Sequence, residues 1–84
     1  MLYERSLAIE NRLQAVLRLI STGDYSTPEL ADEVGVSVPT ISRDVMALRQ
    51  RGHAIRAERI GMVWHYVLEA DEKRHAAIGR RKPR

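Results

Sequence analysis

Residues 30–49 read Leu30-Ala31-Asp32-Glu33-Val34-Gly35-Val36-Ser37-Val38-Pro39-Thr40-Ile41-Ser42-Arg43-Asp44-Val45-Met46-Ala47-Leu48-Arg49. Two helices and a tight turn are written into this stretch. The first helix buries Leu30, Ala31 and Val34 and stops at Gly35, because glycine takes the left-handed conformation of a sharp turn at little cost. Ser37 suits the cap of the second helix, and Pro39 falls in its first turn, where a missing N–H is harmless. Ile41, Val45 and Leu48 recur at helical spacing and form one buried stripe. Pro39, Arg43, Met46 and Gln50 point roughly 130–200° away from it, at ~100° per residue. That outer face carries no acid. Ala31 is small where two helices must cross closely, Val36 plugs the turn, and Ile41 anchors the second helix. The spacing Ala-x3-Gly-Val-x4-Ile demands particular sizes at particular offsets, not general hydrophobicity.

Working outward, Leu2, Ile9, Leu13, Val16, Leu17 and Ile20 lie on one helical stripe, with Arg5, Arg12, Gln14 and Arg18 off it. This predicts an amphipathic helix ending near Ser21 and stopped by Thr22-Gly23-Asp24, with Tyr3 and Leu7 widening its core contact. Ser26-Thr27-Pro28-Glu29 opens the next helix, Thr27 as cap and Glu29 at the positive end of the dipole. The third helix spans 37–51 and ends at Gly52. After it the period changes from helical to two. Ala54–Arg59 alternates, Ile60-Gly61-Met62 can turn, and Val63-Trp64-His65-Tyr66-Val67-Leu68 is β-branched and aromatic. The expected hairpin covers 54–68, with Tyr66 and Leu68 packing on the helices and Trp64 on the same face nearer the tip.

The fold class is therefore mainly α with a small β-hairpin: a winged helix-turn-helix, three helices plus a wing. Residues 1–69 form the domain, and 70–84 a basic C-terminal tail with a short helix at 71–78. Eighty-four residues allow one small core, and the absence of cysteine excludes disulfides, thiolate chemistry and cysteine-based metal sites. Met1-Leu2-Tyr3-Glu4-Arg5 is charged too early for a signal peptide, and no apolar run is long enough to span a bilayer. The expected location is the cytoplasm.

Charge is split along the chain. Residues 1–36 sum to −3, residues 37–68 to +3 and residues 69–84 to +3, and twelve of the fourteen basic side chains are arginine. Arginine's planar fork suits phosphate and guanine, so the asymmetry points to a polyanion.

The stretch quoted first resembles the helix-turn-helix of bacterial winged-helix repressors, nearest to the N-terminal domains of WYL-domain regulators. Deoxyribose-operon-type repressors, the biotin-operon repressor and the arginine repressor are similar. The resemblance is carried by Leu30-Ala31, Gly35-Val36-Ser37, Thr40-Ile41, Arg43-Asp44, Leu48 and Gly52, and continues through Ile55-Arg56-Ala57-Glu58-Arg59 and Tyr66-x-Leu68. It covers about residues 9–68. Val38 and Pro39 stand where this family has polar or basic base readers, and Ile60, Met62 and Trp64 crowd a wing tip that is glycine-rich elsewhere.

The resemblance implies a sequence-specific regulator of transcription that binds double-stranded DNA, repression by promoter occlusion being the simplest mechanism. The third helix would lie in the major groove with its N-terminus closest to the bases. Ser37, Val38, Pro39, Thr40, Ser42 and Arg43 are then the expected contacts, with Arg43 on guanine or phosphate. Thr27 suits a phosphate oxygen, and Arg56 and Arg59 would bring the wing to the adjacent backbone or minor groove. Asp44 is expected in an ion pair or hydrogen bond that orients the helix. Arg49 and Arg51 serve the helix end, and Met46 either touches the groove or packs on the wing. A homodimer on two half-sites is expected, through Tyr3 and Leu7 or through 70–78. No effector domain is expected after the wing, no cofactor is expected, and the alternatives are a winged-helix adaptor for proteins or an architectural DNA binder from a phage or plasmid. No enzyme is expected: His53, His65 and His75 lack a ligand motif, and no phosphate loop or nucleophile elbow is present.

Overall fold

The computed structural model describes residues 2–69, and the proposed tail at 70–84 lies outside them. Three helices precede a two-stranded antiparallel hairpin: α1 (Leu2–Thr22), α2 (Thr27–Val34), α3 (Val38–Gln50), β1 (Ile55–Ile60) and β2 (Val63–Leu68). This is the winged helix-turn-helix expected from the sequence. None of the described helices is long and apolar enough to cross a membrane.

One core joins all three helices to the base of the hairpin. Leu13, Val16 and Ile20 enter it from α1, Leu30 and Ala31 from α2, Ile41, Val45 and Leu48 from α3, and Ile55 from β1. The α1 stripe is shorter than its sequence suggests. Ile9, expected on the stripe, and Leu7, expected to widen the core contact, are both exposed, and the side chains of Leu2 and Tyr3 lie outside those described. The reason is length: 21 residues make a helix of roughly 31 Å, whereas α2, at 8 residues, spans roughly 12 Å and α3, at 13, roughly 20 Å. Among the described side chains, those that enter the core from α1 begin at Leu13.

The turn between α2 and α3 forms as its glycine requires. Gly35 adopts φ 86°, and the amides of Gly35 and Val36 both donate to the Ala31 carbonyl at 2.8 and 3.0 Å. The cap at the other end of α2 corrects the sequence reading. Ser26, not Thr27, is the N-cap: Ser26 Oγ accepts from Glu29 N at 3.3 Å, and Glu29 Oε1 accepts from Ser26 N at 2.9 Å. The Ser-x-x-Glu spacing of this capping box is visible in the sequence. Thr27 follows it as the first helical residue, and is buried.

The hairpin pairs Ile55 with Leu68, Ala57 with Tyr66, Arg59 with Trp64 and Ile60 with Val63. Gly61 alone has positive φ in the two-residue turn, at 65°, the pattern of a type II′ turn with glycine first. Ser26 forms an isolated antiparallel bridge with His65, and His65 Nδ1 lies 3.1 Å from the Tyr25 carbonyl. The segment before α2 thus covers the second edge of β2. The outer edge, β1, carries Arg56, Glu58 and Arg59, charges that discourage further strand pairing.

Candidate nucleic-acid interface

The outer face of α3 emerges as expected: Val38, Pro39, Arg43, Met46 and Gln50 are exposed. At its N-terminus Ser37 is the cap, its Oγ accepting from Thr40 N at 3.3 Å and lying 3.0 Å from Thr40 Oγ1. The cap leaves two hydroxyls together at the positive end of the helix dipole, on the surface where the turn ends.

Arginines make three of the connections that hold α3 against the rest of the molecule. Arg12 of α1 grips Asp44 with two hydrogen bonds, Nε to Oδ2 at 2.7 Å and Nη2 to Oδ1 at 2.9 Å. Asp44 is buried, and its hydrogen bond from Arg12 holds the guanidinium pKa above its ordinary value. This is the orienting role expected of Asp44; its partner, 32 residues away, carries no local signal. Arg51, the C-cap residue, makes a two-pronged bond to Glu10 at 2.8 and 2.9 Å, which lowers the Glu10 pKa. Arg49 Nε donates to the Ile55 carbonyl at 2.8 Å, tying the helix end to the start of β1.

Ser42 contributes to the connection on the wing side. Its Oγ lies 3.2 Å from the Tyr66 hydroxyl, so the residue expected at the DNA sits at the junction of α3 and β2. Arg56 is likewise engaged: it pairs with Glu58 at 3.2 Å and with Glu69 at 3.0 Å. Strand alternation places Arg56, Glu58 and Glu69 on one side of the hairpin and Arg59 with Trp64 on the other, the side of Tyr66 and α3. The two wing arginines expected to act together are separated. Thr27 departs from expectation too, since a buried hydroxyl offers little to a phosphate.

The arginines therefore divide by partner. Among the described side chains, Arg12, Arg49, Arg51 and Arg56 are engaged. Among the described residues, the side chains of Arg18, Arg43 and Arg59 have no hydrogen-bond or ion-pair partner. Arg43 projects from the outer face of α3 and Arg59 from the wing side that faces α3. Ser37, Val38, Pro39 and Thr40 form the helix start within two turns of Arg43, and no carboxylate of α3 shares that face. Among the described residues no group of three or more histidines or acids could hold a metal.

A family model described as HTH domain matches residues 11–61. The chain belongs to the HTH domain family. No curated protein and no solved structure matches it. The match of the HTH domain runs from α1 through the turn and α3 to Gly61, so it includes Arg43, the Arg12–Asp44 pair and the Arg49 contact to Ile55, while Glu10 and Tyr66 lie just outside it. A helix-turn-helix is a DNA-binding unit whose second helix meets the major groove, and DNA is the partner class for this HTH domain.

Proposed function

We propose that this HTH domain is a sequence-specific regulator of transcription. It binds duplex DNA with α3 in the major groove and the hairpin as a wing on the adjacent backbone, and it represses by occluding a promoter. The observation that carries the reading is that free arginines stand on α3 and on the wing; the third free one, Arg18, lies on α1. Arg43 and Arg59 stand unpaired on the exposed sides of α3 and the wing while four other arginines are consumed in holding the fold. Arg43 reads guanine or anchors a phosphate, Ser37 and Thr40 meet phosphate oxygens, and Val38 and Pro39 offer apolar contact to a thymine methyl. The resemblance to WYL-domain and deoxyribose-operon-type regulators supports a role in transcription. Binding without catalysis and a cytoplasmic site of action belong to the same reading.

A single domain of this size covers few base pairs, so specific affinity calls for a homodimer on two half-sites. The overhanging start of α1, with Leu7 exposed, is the surface on which a second copy fits.

Selection of bound duplexes from a random pool tests the reading. An enriched motif is expected, with affinity to it falling steeply as salt rises. Arg43→Ala should reduce the salt slope by about one and relax preference at one base position. A pool that returns no motif overturns sequence-specific regulation. Binding to protein partners that is indifferent to salt would favour the adaptor reading, for which the exposed Met62 and Trp64 speak.

A further inference from the structure

The tip of the wing exposes apolar side chains on both of its sides. Met62, at the apex of the turn, is 84% exposed, and Trp64 and Ile60 are each 53% exposed. Val63 is exposed as well. Register fixes how they are arranged: Ile60 and Val63 oppose each other on one side of the ribbon, Arg59 and Trp64 on the other, and Met62 closes the end. A flat protein surface would cover only one side of such a ribbon. Burying both sides requires a slot with two walls.

Duplex DNA offers that slot beside the helix already placed in its major groove. Tyr66 is fixed to Ser42 of α3, and the apex lies four residues further along the hairpin, roughly 14 Å at ~3.4 Å per residue. Arg59 and Trp64 sit two residues short of the apex, roughly 7 Å back. The minor groove is about 7.5 Å deep. With the Arg59 guanidinium at the phosphate rim, the apex reaches the groove floor. No acid sits on that side of the tip, because Glu58 lies on the other side, paired with Arg56. Width does not match: the minor groove is about 6 Å across, whereas a ribbon with side chains on both sides is on the order of 10 Å thick.

We propose that the wing tip is an apolar wedge that enters the minor groove, led by Met62 and flanked by Ile60 and Trp64, and forces it open. The duplex then bends away from the protein, toward its major groove, as apolar wedges make it do. Sequence preference would follow in part from how easily the underlying steps unstack, with pyrimidine–purine steps favoured beneath the tip. This inference rests on the DNA-binding reading above and adds deformation to it.

End-to-end energy transfer across a labelled duplex carrying the selected motif tests the wedge, using the full chain. The wild-type chain is expected to shorten the end-to-end distance, with a bend of roughly 20–90°. Ile60→Ser/Met62→Ser should leave the bound duplex nearly straight while weakening binding roughly tenfold, the loss expected for a few exposed apolar contacts. Arg59→Ala should weaken binding and lower the salt slope yet keep a bend in the bound fraction. Unchanged thermal unfolding of each variant shows that the fold is retained. A duplex that is bound but straight, or equally bent by wild type and the tip variant, overturns the wedge alone. Tip substitutions that change the oligomeric state and not the duplex shape make the tip a protein contact and also overturn it. A chain that binds no duplex overturns the DNA reading itself.

Discussion

Arg12 of α1 and Asp44 of α3 form a two-pronged ion pair in which the carboxylate is buried and the guanidinium keeps a third of its surface in water: 5% and 30% of side-chain surface exposed. The asymmetry predicts unequal mutants. Arg12→Leu strands a buried carboxylate and should cost about 3 kcal/mol. Asp44→Leu leaves a guanidinium that can turn to solvent, and should cost clearly less. The double substitution should be more stable than Arg12→Leu alone. Urea unfolding of the three variants measures each difference.

Arg43 and Arg49 are six positions apart on one helix but have opposite duties. Arg43→Ala removes an exposed side chain with no partner, so stability should stay within about 0.5 kcal/mol of wild type while DNA affinity falls. Arg49→Ala removes the bond to the Ile55 carbonyl and should cost about 1 kcal/mol, with a smaller loss of affinity. Unfolding curves set beside binding isotherms for the two variants separate the duties.

The Ser42–Tyr66 contact joins the reading helix to the wing. Tyr66→Phe keeps the ring packed and deletes only the hydroxyl, so a cost of about 1 kcal/mol is expected. Ser42→Ala should cost a similar amount, and the pair should cost less than the sum of the two, since one contact is lost in every case. A double-mutant cycle by thermal unfolding measures the coupling.

Gly35 holds positive φ, and a Cβ added there would meet nothing within 4 Å. The penalty for alanine is therefore conformational alone: Gly35→Ala should lose about 1–2 kcal/mol. Asparagine tolerates the left-handed region better, so Gly35→Asn should recover part of that loss. A clash would make asparagine the worse of the two.

Glu29 is held below the ordinary glutamate value of 4.5, first by the Ser26 backbone N–H and then by the Ser26 side chain. A depressed carboxyl pKa means that the unfolded chain binds more protons in the window between the two values. The stabilisation from this contact is complete above the ordinary value and is lost as pH falls through the folded one. Glu29→Ala should therefore show a shallower loss of stability than wild type between about pH 6 and pH 3, read from unfolding midpoints across that range.

The sequence by itself determined the order of elements and the turn at their centre. Ala31, Gly35, Val36 and Ile41 specify sizes and a backbone conformation at fixed offsets, and the change from helical to alternating period after Gly52 marks the wing. Such signals are local: each depends on what neighbours along a helix or strand require. Even the capping box was within reach at Ser26-x-x-Glu29, although Thr27 competes for the same role. The fate of each arginine could not be read in this way. Arg12 with Asp44, Arg51 with Glu10 and Ser42 with Tyr66 join residues 32, 41 and 24 positions apart. Only the packing of α1 and of β2 against α3 brings them within hydrogen-bond reach. The tertiary structure also decided how far the core extends along α1, because burial of Ile9 needs a neighbour that α2 and α3 are too short to supply. On the wing, local alternation already sends Arg56 and Arg59 to opposite sides and puts Glu58 beside Arg56, and only the pairing of Arg56 with Glu69 needs the hairpin register.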